Sequence, residues 1–186
     1  PGFLVFENGA GAGASIPLHQ HYQALRRWPG LARFPIEEAA HRQMSHGRQM
    51  PPFVLDEYPV AALFCRGAAQ AVTEQASTLA AAWLEHTPDW RSLTCNLLAS
   101  RESDADEQIN LFLIPRNSSI TRVPGYSGAV ASLELAGEMV FSTEEERQLL
   151  VSGQITFETV WRSLESAQDS ESRRILASLF PANARN

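Results

Sequence analysis

The sequence predicts an α+β fold in which an antiparallel sheet is flanked by helices within a single domain, residues 1–186. Two apolar segments, Leu93–Ser100 and Gln108–Pro115, are joined by the acidic link Glu102–Glu107, which is typical of an antiparallel hairpin. The alanine-rich segment Ala68–Glu85 has apolar residues at helical spacing and predicts a helix. Strands followed by helices in this order favour an α+β class over alternating βαβ units.

The N-terminal half is predicted to contain three short strands separated by loops. The strands are Leu4–Glu7, Leu18–Leu25 and the apolar segment Tyr58–Cys65. Arg26–Arg33 contains Trp, Pro and Gly and is interpreted as a loop. Ala40–Pro52 ends in a Pro-Pro pair and is interpreted as a mobile connection.

The C-terminal half is predicted to be mainly helical. Val130–Phe141 is apolar and predicts one more strand. Thr143 precedes three glutamates, which predicts a helix cap and a first turn. Two further helices are predicted at Thr156–Ser166 and Ser170–Phe180.

Composition and charge exclude several classes of function. The formal net charge of −6 argues against a long nucleic-acid partner, which would need a basic surface, while small anionic ligands remain open. Cys65 and Cys95 form no CxxC pair, so we expect no cysteine-based zinc site and a reducing, cytoplasmic setting with both thiols buried. The sequence contains no signal peptide and no apolar run that could span a bilayer, so we expect no membrane partner.

The stretch FENGAGAGASIPLHQHYQ, Phe6–Gln23, contains most of the residues that can carry chemistry. In a strand, His19, His21 and Gln23 would share one face. Histidine is the side chain that can act as a neutral nucleophile near pH 7, and its attack on phosphorus gives a phosphoramidate intermediate. Backbone N–H groups of the glycine loop can face an anion there, and Ser15 adds a hydroxyl donor.

The third position of this pattern favours one outcome of the reaction. Glutamine can donate a hydrogen bond to a phosphoryl group but cannot carry a proton, so Gln23 favours transfer to a second phosphate-bearing acceptor over hydrolysis. The residues alone leave two other interpretations open. The strand could be a metal-binding face or a solvated polar strand, and the glycine loop could simply form a turn.

The stretch from Phe6 to Gln23 resembles the active-site segment of galactose-1-phosphate uridylyltransferases, the transferase branch of the histidine-triad superfamily. The shared elements are Phe6-Glu7-Asn8, the loop of small residues, Ser15 and the His-x-His-x-Gln pattern. Later segments are similar in order and spacing to GDP-hexose phosphorylases, which include the GDP-L-galactose and GDP-glucose enzymes. These segments are LDEYPVAALFCRG, NLLAS…INLFLIP and LELAGEMV…ITFETVWRSLE. The resemblance covers residues 6–167 and implies a histidine-triad-like fold.

The resemblance also implies roles for individual residues. His21 matches the nucleophile that becomes nucleotidylated, and Gln23 matches the glutamine that contacts the bound phosphate. His19 matches the first histidine of the motif, which in some uridylyltransferases ligates a structural zinc. Its zinc partners come from a region outside this chain, so neither a metal nor another cofactor is predicted. Asn8 and Ser15 match positions that bind ligand phosphates or hold the loop, and Glu138 resembles a glutamate that contacts the hexose in uridylyltransferases. Gly11 and Gly13 of the glycine loop are expected to bind phosphate through backbone N–H groups.

The resemblance predicts a nucleotidyltransferase or phosphorylase that cleaves a GDP-hexose-like nucleoside diphosphate-sugar and transfers the nucleotidyl group to phosphate or a sugar phosphate. Two alternatives remain: a dinucleoside polyphosphate phosphorylase, such as one acting on diadenosine tetraphosphate, and a non-catalytic nucleotide-binding module. The expected partners are a small nucleotide substrate and phosphate, with a homodimer left open. In this family an N-terminal half completes the base pocket, and because the motif starts so near Pro1 we expect the chain to be a piece of a longer protein.

Other conspicuous residues have structural interpretations. His41 and His46 are expected in a solvated loop, and the acidic link Glu102–Glu107 is expected to be a solvated hairpin tip without calcium-loop spacing. For Arg116, an approach to the site and solvation at the surface are equal alternatives. The four tryptophans, at positions 28, 83, 90 and 161, are expected in the core or at an interface.

Overall fold

The computed structural model describes residues 2–14, 19–46, 50–55, 57–87, 93–103, 105–117 and 128–180. Its centre is a six-stranded, fully antiparallel sheet with the strand order β2-β1-β5-β6-β4-β3. The strands are β1 Phe3–Asn8, β2 Tyr22–Arg26, β3 Phe53–Val54, β4 Leu63–Gly67, β5 Leu93–Ser100 and β6 Ile109–Asn117.

Six helices surround the described part of the sheet. They are α1 Pro35–Ser45, α2 Ala69–Glu85, α3 Ser132–Leu135, α4 Glu144–Val151, α5 Phe157–Ser166 and α6 Ser170–Leu179. The predicted α+β class with an antiparallel sheet and flanking helices is therefore confirmed. The described helices include none that is long and apolar enough to cross a lipid bilayer.

The hairpin and most helices follow their sequence signals. β5 and β6 pair in register from Leu93 with Asn117 to Ser100 with Asn110, and α2 matches the alanine-rich segment. Thr143 caps α4 by accepting a hydrogen bond from the backbone N–H of Glu146, as its position before the glutamates predicts. The helices predicted to begin near residues 156 and 170 are confirmed as α5 and α6.

The two faces of the sheet are covered differently. We call the face against α1, α3 and α5 the first face; its core includes Phe6, Ile36, Phe112 and Leu164. The second face packs against α2 and α6 mainly at β4 and β6, and Leu97 of β5 also packs against this cluster. At β1 this second face is open, and Phe3 is half exposed there.

The strand predicted for Leu18–Leu25 starts later than expected. β2 begins at Tyr22, which pairs with Glu7, and the β1–β2 ladder ends at this pair although β1 itself continues to Asn8. His19 and His21 therefore lie before the strand, and Leu18 lies outside the described residues. Only Gln23 of the three motif side chains stands on β2.

The connection predicted for Ala40–Pro52 is wrong, because its first half belongs to α1. Pro35 occupies the first turn, and the Glu37 carboxylate accepts a hydrogen bond from the backbone N–H of Phe34, which starts the helix. His41 consequently lies on a helix, and His46 is its C-cap residue. The sequence prediction missed this helix because the clustered Pro and Gly residues outweighed its buried stripe of Ile36, Ala39, Ala40 and Gln43.

Two predicted strands were also wrong, one throughout and one in part. Val130–Phe141 contains no strand; it contains the short helix α3, which begins where the Glu134 carboxylate accepts a hydrogen bond from the N–H of Ala131 and ends at Leu135, shortly before Gly137 with φ +103°. In Tyr58–Cys65 only the last residues are a strand, β4. Tyr58 itself turns inward and donates its hydroxyl to the carbonyl of Leu135 at 2.9 Å.

The acidic link after β5 forms ion pairs with the sheet and is not only a solvated tip. Arg66 of β4 contacts Glu102 at 2.7 Å and Asp106 at 3.1 Å. Arg33 lies 3.4 Å from the same Glu102 carboxylate. The link is thus tied to the sheet by an ion-pair network at the end of β4.

Candidate functional site

Asn8 and His21 lie at the same end of the β1–β2 ladder. The β1–β2 ladder ends with the pair Glu7 and Tyr22, and each of the two candidate residues lies one position beyond that pair. The register of β1 and β2 therefore places Asn8 and His21 at the same end of the ladder. The glycine loop continues from Asn8 at this end, while Ser15 lies outside the described residues.

Among the described residues, the imidazole of His21 forms one hydrogen bond. Its Nδ1 lies 3.0 Å from the backbone carbonyl of His19, and the two imidazole rings stack with centroids 5.9 Å apart. A carbonyl can only accept, so Nδ1 must carry the proton of the neutral ring, which leaves the lone pair on Nε2. The ring is therefore oriented with its nucleophilic nitrogen unblocked by this contact.

The side chains around His21 divide between the two faces of the sheet. Gln20 donates to the Glu7 carboxylate at 3.1 Å and to the Tyr22 hydroxyl at 3.4 Å, on the second face. Gln23 pairs with Phe6 across the ladder and is directed to the first face. The predicted alternation is thus retained around Tyr22 although the first two motif residues are not in a strand.

The glycine loop is packed tightly against β5 and the segment before α3. The N–H of Gly9 donates to the carbonyl of Cys95 at 2.9 Å. Gly13 has φ +87°, and a Cβ there would lie 2.7 Å from the Cβ of Ala131. A side chain at Gly13 would therefore be excluded by its backbone conformation and by its neighbour.

A buried amide connects this loop to the sheet. Asn96 of β5 is fully buried, and its Nδ2 donates to Asn8 Oδ1 and to the Ala12 carbonyl, both at 2.8 Å. Asn8 Oδ1 also accepts from the backbone N–H of Ser132 at 2.8 Å, and the Ser132 hydroxyl donates to the Glu7 carbonyl. The sequence analysis did not single out Asn96, although an asparagine on the inward face of an apolar strand was a signal that it has buried partners.

Arg116 lies behind this amide rather than at the surface. It is fully buried, and its Nη1 donates to Asn96 Oδ1 and to the Val130 carbonyl, both at 3.1 Å. Burial lowers the pKa of Arg116 to about 10, which leaves the guanidinium charged at neutral pH. Of the two alternatives for Arg116, solvation at the surface is wrong.

Glu138 lies in a different contact network. Its charge, after burial, is the second cause that raises the pKa of Tyr58 above its ordinary value. Among the described residues it forms no hydrogen bond or ion pair with His19, His21 or Gln23. Contact of Glu138 with a hexose therefore stays a prediction from the resemblance.

The thiols are poor nucleophiles at neutral pH. Cys65 is buried and Cys95 is half-buried next to the loop. Burial raises the pKa of Cys65 to about 11. Burial, and then the charge of Glu7, raise the pKa of Cys95 to about 11 as well. Cysteine chemistry is therefore disfavoured at this end of the sheet.

The opposite end of β1 and β2 carries a separate cleft. Gly2, Glu102 and the turn at residues 28–32 bound a volume of about 820 Å³, with Trp28 half exposed at its edge. Its described lining residues include no histidine and no residue of the His-x-His-x-Gln motif. In the part of the chain that the structure describes, no group of three or more His, Cys, Asp or Glu is placed to hold a metal ion.

Comparison with known proteins finds no family model, no curated protein and no solved structure that matches the chain. The function must therefore be argued from the residues at the end of the β1–β2 ladder.

Proposed function

We propose that the chain is a nucleotidyltransferase or phosphorylase that cleaves a nucleoside diphosphate-sugar, GDP-hexose-like, through a covalent nucleotidyl group on His21. The observation that carries this proposal is the hydrogen bond from His21 Nδ1 to the His19 carbonyl, 3.0 Å long. It selects the tautomer in which Nε2 has the free lone pair, as a nucleophile requires. The histidine-triad-like arrangement and a cytoplasmic location are part of the same proposal.

The proposed reaction has two displacement steps. His21 Nε2 attacks the α-phosphorus, a nitrogen–phosphorus bond forms, and the bridging oxygen leaves with the sugar phosphate. An oxygen of inorganic phosphate then attacks the same phosphorus and releases His21 with a nucleoside diphosphate as product. Two displacements divide one difficult transfer into two easier ones, and neither step requires water.

The neighbouring residues would provide orientation and charge stabilisation. The side-chain amides of Gln23 and Asn8, with the loop N–H groups around Gly11 and Gly13, would donate hydrogen bonds to phosphoryl oxygens. His19 would hold the imidazole of His21 through its carbonyl and the stacked ring. Because the bond broken is a phosphoanhydride, positioning would contribute much of the rate enhancement.

The hydrogen bond to a carbonyl is not sufficient by itself. The Nδ1 atoms of His46 and His86 lie 2.6 Å and 2.7 Å from helical carbonyl oxygens in the same manner. Those two histidines are C-cap residues of α1 and α2. His21 differs because its hydrogen bond lies beside Asn8 and the glycine loop, and this difference provides a matched control.

Intact-protein mass spectrometry tests the proposal directly. The protein is incubated with GDP-hexoses, other nucleoside diphosphate-sugars and diadenosine tetraphosphate, with and without inorganic phosphate. We expect a mononucleotide adduct that is absent in His21→Asn, present in His86→Asn, and discharged by added phosphate. An adduct from the dinucleotide alone would select the alternative phosphorylase. Binding without any adduct or product would leave a non-catalytic nucleotide-binding module.

A further inference from the structure

The amide of Asn8 has a defined orientation, because two of its contacts are chemically unambiguous. The backbone N–H of Ser132 can only donate, so the Asn8 atom 2.8 Å from it must be the oxygen. The other contact of Asn8 Oδ1 is Asn96 Nδ2, also at 2.8 Å. Both contacts lie on the oxygen side of the amide.

The same reasoning determines the orientation of the Asn96 amide from its contacts with Arg116 and Ala12. Arg116 has donors only, so the Asn96 atom 3.1 Å from its Nη1 must be the oxygen. The Ala12 carbonyl can only accept, so the Asn96 atom 2.8 Å from it must be the nitrogen. The polarity determined from Arg116 therefore agrees with the polarity determined independently from Ser132.

The hydrogen bonds run from Arg116 through Asn96 to Asn8, and Asn8 Nδ2 is the last polar atom of this series. Among the described residues it has no hydrogen-bond partner, and it is not buried. Asn8 itself is partly exposed beside the glycine loop. Its two N–H donors thus face outward at the end of the sheet that carries His21.

We propose that Asn96 and Arg116 are positioning residues that fix the Asn8 amide with its N–H donors outward, so that it can bind a phosphate oxygen. This inference rests on the proposed function for its ligand class, the phosphoryl group. Arg116 orients the Asn96 amide, and Asn96 and Ser132 occupy the Asn8 oxygen. The anion consequently meets two donors that need not reorient when it binds.

The substitution Asn8→Asp separates binding from folding. An aspartate oxygen can still accept from Asn96 and from Ser132, so the inward hydrogen bonds persist. The outward group changes from a donor pair to a charged acceptor. We expect binding of inorganic phosphate, followed by NMR titration, to weaken about tenfold or more while the thermal midpoint changes little.

The matched control for this change is Asn110→Asp. Asn110 is a buried asparagine on the same strand as Arg116, but its Oδ1 accepts from Arg66 at the other end of the sheet. The substitution adds the same charge without facing the loop. We therefore expect phosphate affinity close to that of the unmodified chain, and an equal loss in both variants would overturn the inference.

Asn96→Leu tests the positioning role. The side-chain amide signal of Asn8, identified by its absence in Asn8→Asp, should shift on addition of phosphate in the unmodified chain. In folded Asn96→Leu we expect this shift to be lost and phosphate to bind about tenfold more weakly. Unchanged binding and an unchanged amide shift would show that Asn96 is structural only.

The outcome is independent of catalysis. Inorganic phosphate alone carries no nucleotidyl group, so its binding does not depend on adduct formation at His21. Failure of the adduct experiment with normal phosphate binding would reject the proposed function and leave the positioning of Asn8 intact. Absence of phosphate binding by the unmodified chain, or unaltered binding by Asn8→Asp, would overturn the inference.

Discussion

Two buried polar networks lie on the first face of the sheet, one at each end of β1, and they differ in how they terminate. At the Phe3 end, both oxygens of Glu37 are occupied: Oε1 accepts from Ser100 Oγ and from Arg27 Nη2 at 2.6 Å. Oε2 accepts from Arg27 Nη1 and from the Phe34 N–H at 2.7 Å. At the other end, the amide network of Asn96 finishes at a donor that faces outward.

The difference separates a structural network from a candidate functional one. The closed network joins β5 and the segment after β2 to α1, and every acceptor position of its carboxylate is filled by protein, although among the described residues Arg27 Nε is buried without a partner. The open network joins the sheet to the glycine loop and retains unused donors next to a histidine. Buried polar groups are expected to be satisfied, so an unpaired donor at the rim of such a network is the more informative feature.

Breaking the closed network should have the largest effect on stability. Glu37→Ala leaves the Arg27 guanidinium buried, 4% exposed, without its carboxylate. We expect the free energy of unfolding to fall by about 3–5 kcal/mol, measured by chemical denaturation. Adduct formation per folded molecule should not change, because this end of the sheet is remote from His21.

The control for this prediction removes both charges. Arg27→Met combined with Glu37→Leu should recover the part of the lost stability that arises from the lone buried charge, while the Ser100 hydroxyl and the Phe34 N–H still lack their acceptor. A cost below about 1 kcal/mol for Glu37→Ala would contradict the closed-network interpretation. A loss of adduct in the folded protein would instead couple the two ends of the sheet.

At the end of the sheet that carries His21, Gly13→Ala should lower stability less than Glu37→Ala does, but it should lower activity more. The positive φ of Gly13 and the close Cβ of Ala131 make any side chain there unfavourable, and we expect a loss of about 2 kcal/mol. Displacement of the loop should also weaken phosphate binding. Gly30→Ala is the matched control, since Gly30 has φ +91° and open space around the added Cβ. It should show the backbone cost without loss of binding, and equal phosphate affinity in the two variants would contradict a role for the loop.

The elements that could be predicted from sequence are those whose signals are local. The β5–β6 hairpin, α2 and the Thr143 cap each follow from residues within a few positions of one another. The helix α1 was missed because Pro35 was not recognised as a first-turn residue. The start of β2 was also misplaced, because the alternation in the sequence continues beyond the pair of Glu7 and Tyr22, where the ladder with β1 ends.

The candidate site was predictable only where it is contiguous in sequence. His19, His21, Gln23 and Asn8 belong to one short stretch, and their residue types indicate the chemistry. The support behind them comes from distant positions: Asn8 and Ser132 are separated by 124 residues. Asn96 and Arg116 sit on neighbouring strands, where a polar residue signals burial with a partner but does not identify that partner. Only the strand order shows that they meet behind the glycine loop.

The smallest predicted effect concerns pH, and it again distinguishes the two ends. Burial raises the pKa of Glu102, while hydrogen bonds and charges from Arg66 and Arg33 lower it by more, so the net pKa lies below the ordinary value of 4.5. A lowered pKa stabilises the charged form in the folded state. Its contribution to stability is therefore present above pH 4.5 and is lost as the pH falls below that value. The amides of Asn8 and Asn96 do not titrate, so they contribute no comparable loss.

We expect Glu102→Gln to cost less than about 1 kcal/mol at neutral pH, because the carboxylate is partly exposed, and to make the stability less dependent on pH in acid. The control is Glu107→Gln in the same link, which removes the same charge. Glu107 is exposed and has no ion pair among the described residues. The acid unfolding curve of this variant should therefore follow that of the unmodified chain. Denaturation midpoints measured across the acid range provide the comparison. If both variants make stability equally less dependent on pH, net charge and not the Arg66 ion-pair network governs stability in acid. The proposed difference in pH dependence between the two ends of the sheet would then be wrong.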